Sequence, residues 1–233
     1  MEQVHKFFSN FDEVFCINLD SRPDRWSRAM REFSYIGISS LVTRKSGNLP
    51  QRGESNLVGC GSSHVDILRE SRNKGHERIF IFEDDFKFFD NVIEDIDNQK
   101  RLNSIFTEPK ITDWDVIYIG GKFLPYRWYS RLCRDWCRRF NPSRRYIARA
   151  KSCCWGQSYA VNMRCADKII AHWEDYHTGN TGRDWLYQAV SRRYNLKVFY
   201  TVPKFTGQSN IKGNIRTHNN NKNGRVDDKR GNE

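Results

Sequence analysis

The stretch that decides the fold is "IFIFEDDFKFF", residues 79–89. Its first four residues form a short continuous apolar run of the kind that makes a buried β-strand. Glu83, Asp84 and Asp85 follow at once, and an ionised carboxylate costs several kcal/mol to bury unless a partner compensates it. Side chains alternate along a strand, which predicts that Glu83 and Asp85 share one face. Three acids at this place indicate a bound divalent cation or a nucleotide, with a solvated turn as the alternative.

Apolar runs alternate with helical patterns along the rest of the chain. Strands are predicted at 13–19, 41–45, 79–82, 114–121, 157–161 and 196–203, with helices between most of them. This alternation predicts an α/β fold with a mainly parallel sheet flanked by helices. Residues 1–211 are predicted to form a single domain, and the polar stretch 212–233 to be a disordered tail.

Polar side chains follow the first predicted strand, in "NLDSRPDR" (18–25). Ligands of open α/β sheets bind at the carboxyl ends of strands. The amide of Asn18 and the carboxylate of Asp20 suit a base or a ribose, whereas Arg22 and Arg25 suit a phosphate. Plain capping of the following helix explains the same residues equally well.

The stretch "GCGSSHVDIL" (59–68) predicts a glycine-containing loop that enters a helix. Ser63 and Asp66 have the spacing of a capping box, which places His64 in the first helical turn. A helix beginning offers free backbone N–H groups to an anion. On spacing alone, an ordinary capped helix with an incidental histidine is the stronger interpretation.

The charge balance of the chain is strongly basic, with a formal net charge of +11. Such an excess favours phosphate-bearing partners: nucleic acid, an anionic membrane or a nucleotide. No apolar run approaches the roughly 20 residues of a membrane span, and the N-terminus has no apolar signal segment. The seven cysteines lack a framework spacing, which predicts reduced thiols in a cytoplasmic protein.

Much of the positive charge lies in residues 126–151, with eight Arg and one Lys against the single acid Asp135. Trp128, Leu132 and Trp136 recur at helical spacing. A basic helix with tryptophan on its other face suits an anionic membrane surface or an acidic glycan. A core-packed helix with a solvated face is an equally good interpretation.

Three motifs in this order resemble glycosyltransferase family 25: "FCINLDSRPDRW" (15–26), "GCGSSHVDIL" (59–68) and "IFIFEDDFKFF" (79–89). That family includes bacterial lipopolysaccharide galactosyltransferases and procollagen galactosyltransferases. The stretches "WGQSYAVNMRCADKII" (155–170) and "RDWLYQAV" (183–190) resemble its later blocks more loosely. The resemblance covers roughly residues 12–212.

The resemblance implies a GT-A-like nucleotide-binding fold, a UDP-sugar donor, and Mn²⁺ or Mg²⁺ as cofactor. Asp85 would be the first metal ligand, with Glu83 serving the metal or a hydroxyl of the donor sugar. Asp84 would face the ribose. The full set implied for donor binding is Asn18, Asp20, Arg22, Arg25, His64, Glu83 and Asp84.

The implied reaction moves a hexose, galactose or glucose, from the UDP-sugar to a glycan or another hydroxyl-bearing acceptor. An inverting transfer needs a carboxylate that takes the proton of the acceptor hydroxyl. Asp184, at a predicted helix start, is the candidate base, although an acid there also suits the helix dipole. The rival is a non-catalytic nucleic-acid-binding protein. Three acids in the site disfavour that rival, because they would repel phosphates.

Overall fold

The computed structural model describes residues 2–106, 113–123, 147–150, 153–154, 157–177, 182–201 and 203–209. The predicted tail at 212–233 lies outside these residues. So does most of the basic segment 126–151, and with it the membrane-facing helix that the sequence predicts there.

Eleven strands are present in the described part of the chain. They are β1 (Glu13–Asn18), β2 (Val42–Ser46), β3 (Arg78–Glu83), β4 (Phe86–Phe88), β5 (Val116–Tyr118), β6 (Lys122–Phe123), β7 (Ile147–Ala150), β8 (Cys153–Cys154), β9 (Ser158–Asn162), β10 (Val198–Thr201) and β11 (Thr206–Gln208). Seven of them form one sheet in the order β2-β1-β3-β9-β5-β10-β7. Two smaller pairs, β11 with β4 and β6 with β8, complete the set.

Most strands of the large sheet run in one direction. β1 is parallel to both β2 and β3, and β10 is parallel to β5. β9 lies antiparallel between β3 and β5, and β7 lies antiparallel at the edge beside β10. The prediction of a mainly parallel sheet is confirmed.

The α-helices of the described segments cover both faces of this sheet. They are α1 (Glu2–Phe8), α2 (Pro23–Tyr35), α3 (Asn56–Asn73), α4 (Asp90–Ile93), α5 (Ile96–Ser104), α6 (Ala166–Tyr176) and α7 (Arg183–Tyr194). Helices on both faces of a mostly parallel sheet confirm the predicted α/β class and are compatible with a GT-A-like fold. None of the helices in the described ranges is both long enough and apolar enough to cross a membrane.

Strand β3 separates the two hydrophobic cores. Phe80 and Phe82 lie in the core beneath α1 and α2, whereas Ile79 and Ile81 lie in the core beneath α3 and α6. Because successive side chains of a strand point to opposite faces, a strand buried on both faces is apolar throughout. That explains the continuous apolar run.

Helix α1, which the sequence pattern did not predict, closes the first core with aromatic side chains. Phe7 and Phe8 are almost completely buried. The ring of Phe8 meets the edge of Phe80 with centroids 5.0 Å apart, and Phe7 stacks on Phe106 at 5.3 Å. Such pairs add about 0.5–1.5 kcal/mol each beyond the area they bury.

The chain passes very close to itself where β5 ends. The backbone of Gly120 forms a bridge with Thr206, the first residue of β11. A Cβ on Gly120 would lie 2.7 Å from the carbonyl oxygen of Thr206 and would also strike its hydroxyl. This contact holds β11 against the end of the sheet, and with it Gln208.

We expect Gly120→Ala to lower the free energy of unfolding by about 1–3 kcal/mol, because the new methyl group strikes backbone atoms. Urea unfolding of the variant and the wild type measures the difference. Gly182→Ala is the matched control: the nearest atoms to its Cβ would be side-chain atoms of the exposed Leu57, at 3.1–3.6 Å, so its stability loss should be smaller. Equal stability losses in the two variants would contradict the close approach at Gly120.

Candidate functional site

The carboxyl ends of β1 and β3 meet, as the sequence predicts. Ile17 is paired with Glu83 in the parallel register, and the backbone N–H of Asp84 donates to the carbonyl of Ile17 over 3.1 Å. One residue further along β1, Asn18 is buried and its side-chain amide donates to Oδ2 of Asp84 over 2.7 Å. The first and third motifs therefore share one site.

Arg25 compensates the acids that follow β3. Pro23 begins α2 shortly after β1, which places Arg25 in the first turn of the helix. Its guanidinium lies 3.1 Å from Oδ1 of Asp84 and 3.5 Å from Oδ2 of Asp85, and all three side chains are only 9–10% exposed. A guanidinium that bridges two buried carboxylates explains how these acids can end a core strand.

The carboxylate of Asp84 is fully engaged by protein groups. Oδ1 faces Arg25 and Oδ2 accepts from Asn18. Burial raises the pKa of Asp84, and the charge of Arg25 and the hydrogen bond from Asn18 act against that rise. Arg28 of α2 donates to the backbone carbonyl of Asp84 and, over 2.8 Å, to that of Phe86. These contacts fix the turn that carries the acids, and the predicted ribose contact of Asp84 stays a prediction.

Asp85 is held from the other side by β11. Gln208 donates to Oδ2 of Asp85 over 2.7 Å, and the backbone N–H of Ser209 donates to its carbonyl over 2.7 Å. The expected alternation, with Glu83 and Asp85 on one face, is wrong. Strand β3 ends at Glu83, the chain then turns, and the contacts group Asp85 with Asp84 around Arg25.

The rim of the site carries partly exposed arginines. Arg44 of β2 donates to Oδ1 of Asn18 over 2.9–3.0 Å and to Oδ1 of Asp20 over 2.7 Å. Asp20 is exposed, and hydrogen bonds from Ser46 and Arg44 lower its pKa. Arg22 forms an ion pair with the exposed Asp24 over 2.7 Å. Sequence reasoning missed Arg44, because nothing in "LVTRK" shows that β2 lies beside Asn18.

His64 lies within helix α3 and not in its first turn, where the sequence placed it. Helix α3 begins at Asn56 with Ser55 as its N-cap, so "GCGSS" lies inside the helix and the predicted anion-binding loop is wrong. His64 is the ninth helical residue and is 1% exposed. Its Nε2 lies 3.3 Å from Oε1 of Glu83, and its Nδ1 lies 2.6 Å from the hydroxyl of Tyr159.

Asp184 lies in the first turn of α7, as its sequence pattern predicts. Its side chain is outside the described residues, and its role as base stays a prediction. Gly182, just before this helix, packs so tightly that a Cβ would lie 3.1 Å from the side chain of Leu57 in α3. The beginning of α7 therefore lies beside the beginning of α3.

The donor set at the strand ends fits a hard divalent cation. Asp84 and Asp85 place two carboxylates side by side around the guanidinium of Arg25. Carboxylate oxygens are the ligands that Mg²⁺ and Mn²⁺ prefer. Both oxygens of Asp84 are engaged by Arg25 and Asn18. The metal roles of Asp85 and Glu83 stay predictions.

Comparisons with known proteins identify relatives of the chain. No family model matches it. Procollagen galactosyltransferase 1-A of Xenopus laevis is 28% identical over 189 residues, which are 69% of this chain and 28% of that protein. Procollagen galactosyltransferase 2 of Mus musculus is 24% identical over 190 residues, which are 69% of this chain and 27% of that protein.

A second group of relatives carries a different name. Probable inactive glycosyltransferase 25 family member 3 of Rattus norvegicus is 32% identical over 135 residues, which are 48% of this chain and 23% of that protein. The chain spans about a quarter of the length of the curated relatives it matches. These relatives are glycosyltransferase 25 family members, procollagen galactosyltransferases among them, and they confirm the family resemblance that the three motifs indicate.

Proposed function

We propose that the chain is a glycosyltransferase that moves a hexose, galactose or glucose, from a UDP-sugar to a glycan or another hydroxyl-bearing acceptor. The observation that carries the proposal is the buried cluster of Asn18, Arg25, Asp84 and Asp85 where β1 and β3 end. Its position is the one at which open α/β sheets bind their ligands. The names of the relatives support the same activity.

The contacts divide the donor-site residues into two groups. Asn18 and Arg25 are buried and bind other side chains of the site, so we assign them to positioning the acids. Arg22 and Arg44 are partly exposed, and each pairs with an exposed aspartate. A surface ion pair contributes only about 0–1 kcal/mol, so either arginine can exchange its partner for a phosphate oxygen. We therefore assign Arg22 and Arg44 to the diphosphate.

The acids supply the chemistry in this proposal. Asp85 is the first ligand for Mn²⁺ or Mg²⁺, and Glu83 faces a hydroxyl of the donor sugar. The bound cation would neutralise the charge that builds on the departing diphosphate. Asp184 takes the proton of the acceptor hydroxyl, as an inverting transfer by direct displacement requires.

We expect Asp85→Asn to weaken UDP binding in the presence of Mn²⁺ by about 10- to 100-fold, the range seen when a metal site loses a supporting group. Isothermal titration calorimetry with UDP measures it, and EDTA should abolish the wild-type binding. Asp97→Asn, at an exposed acid in α5, is the control and should bind UDP normally. Equal UDP affinity with Mn²⁺ and with EDTA would exclude the metal role of Asp85.

Relatives that are named inactive make it necessary to measure binding and transfer separately. Metal-dependent UDP binding without transfer to any hydroxyl acceptor would restrict the function to donor binding. A salt titration separates both from nucleic-acid binding, since affinity for nucleic acid falls steeply with salt concentration. UDP binding at this site should instead depend mainly on the divalent ion.

A further inference from the structure

Three side chains of different chemistry converge beside the proposed donor site. Cys60 and His64 are one helical turn apart on α3, and Glu83 is the last residue of β3. One ligand atom of each, the thiol sulfur, a ring nitrogen and a carboxylate oxygen, lies within 4.8 Å of the other two. Among the residues that the structure describes, no other three His, Cys, Asp or Glu side chains bring their ligand atoms this close together.

His64 and Glu83 are already as far apart as two ligands of one metal ion would be. Zinc binds imidazole nitrogen and carboxylate oxygen at about 2.0–2.2 Å, so two such ligands of a tetrahedral ion lie roughly 3.3–3.5 Å apart. Nε2 of His64 and Oε1 of Glu83 are 3.3 Å apart. A cation can therefore enter between them with little movement of either residue.

Tyr159 orients the ring of His64. Its hydroxyl lies 2.6 Å from Nδ1 of His64 and 3.4 Å from the hydroxyl of Tyr187. A histidine that binds a metal through Nε2 carries its proton on Nδ1 and donates it to a second group, which fixes the tautomer. A tyrosine hydroxyl can accept that proton or donate its own, so the same pair serves the metal-bound and the metal-free protein.

The three residues differ in exposure in a way that permits entry of an ion. His64 is 1% exposed, whereas Cys60 and Glu83 are partly exposed. Glu83 is anchored by its backbone N–H, which donates to the carbonyl of Gln157 over 2.8 Å. The site thus has a rigid inner ligand and two outer ligands at the surface.

We propose that Cys60 Sγ, His64 Nε2 and Glu83 Oε1 bind one divalent transition-metal ion of the zinc class, with the fourth position open to water. A thiolate and an imidazole favour zinc, cobalt or iron over Mg²⁺ and Mn²⁺, which prefer oxygen ligands. Binding displaces the thiol proton of Cys60 to solvent. The ion is distinct from the one that we assign to Asp85.

Cobalt is the probe for this site, because its thiolate complexes absorb light. The full chain is stripped with a chelator, kept reduced, and titrated with Co²⁺. We expect saturable uptake of one Co²⁺ with a sulfur-to-cobalt charge-transfer band, and displacement by Zn²⁺. Cys60→Ser should remove the band, and Tyr159→Phe should weaken Co²⁺ binding by about 10- to 100-fold.

Cys165→Ala is the matched control. That thiol is buried and donates to backbone carbonyls, so the variant should keep the band and the affinity. Failure of the wild type to take up Co²⁺ saturably, or a band that survives Cys60→Ser, would overturn the proposal. Asp85→Asn should keep Co²⁺ binding and weaken UDP binding, whereas Cys60→Ser should lose the Co²⁺ band and keep UDP binding. Each of the two proposals can therefore fail without the other.

Discussion

We expect Arg25→Gln to lower the free energy of unfolding by about 3–5 kcal/mol, the usual cost of removing one partner from a buried ion pair. The guanidinium faces both Asp84 and Asp85, and all three side chains are about nine-tenths buried. Without it, two neighbouring buried carboxylates would lose the guanidinium that both of them face. Urea unfolding near neutral pH measures the loss.

Arg72→Gln is the control for this substitution. Arg72 pairs with Asp167 at the surface, where both side chains are about half or more exposed, so its loss should cost at most about 1 kcal/mol. A cost for Arg25→Gln that is no larger than that of Arg72→Gln would contradict the role of Arg25 as the compensating charge.

The stability defect of Arg25→Gln should also depend on pH. Burial already raises the pKa of Asp84, and removal of Arg25 takes away a charge that opposes this rise. A carboxyl group whose pKa is higher in the folded state stabilises the fold when protonated, and this contribution is lost as pH rises through the folded-state pKa. The difference between variant and wild type should therefore shrink as the pH falls from neutral. A difference that grows in acid would contradict the assignment to Asp84.

Asp184→Asn should lower the rate of hexose transfer by about 10²–10⁴-fold, the typical cost of losing a general base. The asparagine keeps the shape and hydrogen-bonding capacity of the side chain but cannot take the acceptor proton. Donor binding should survive, because the proposed metal and diphosphate contacts involve Asp85, Arg22 and Arg44. The measurement is paired: UDP-sugar affinity by calorimetry, and transfer rate with a competent acceptor.

Asp167→Asn provides the comparison, since Asp167 is an exposed acid in the first turn of α6. Its transfer rate should equal that of the wild type. Near-normal transfer by Asp184→Asn would remove Asp184 as the base, and loss of UDP-sugar binding would give it a structural or donor-binding role instead. Glu174 would then be an alternative base. In the structure it forms an ion pair with Arg69 over 2.8 Å.

The sequence predicts those elements of the fold whose signals are local. The apolar runs of β1 and β3 lie where the pattern places them. The beginning of α3 was missed because Gly59 and Gly61 resemble a loop. Residue 59 is a glycine for a tertiary reason: a Cβ there would lie 2.5 Å from the carbonyl oxygen of Asn48. Glycine permits this close approach of two backbone segments, and no local pattern reveals it.

The site is predictable only in part for the same reason. The motifs place Asn18 and Asp84 at strand ends, and the structure brings these two side chains together. The partners that arrange them come from distant segments: Arg44 lies 26 residues from Asn18, and Gln208 lies 123 residues from Asp85. The direction of β9 is likewise unreadable, since periodicity identifies a strand without its orientation.

The insertion of β9 beside β3 has a consequence during synthesis of the chain. β1 and β2 are complete by residue 46, but the other neighbour of β3 begins only at Ser158. A nascent chain that has emerged to about residue 100 therefore exposes one free edge of the apolar strand β3. Unpaired edges of this kind recruit other chains and aggregate. Chaperone binding to ribosome-bound intermediates of this protein should accordingly end when β9 emerges and closes that edge.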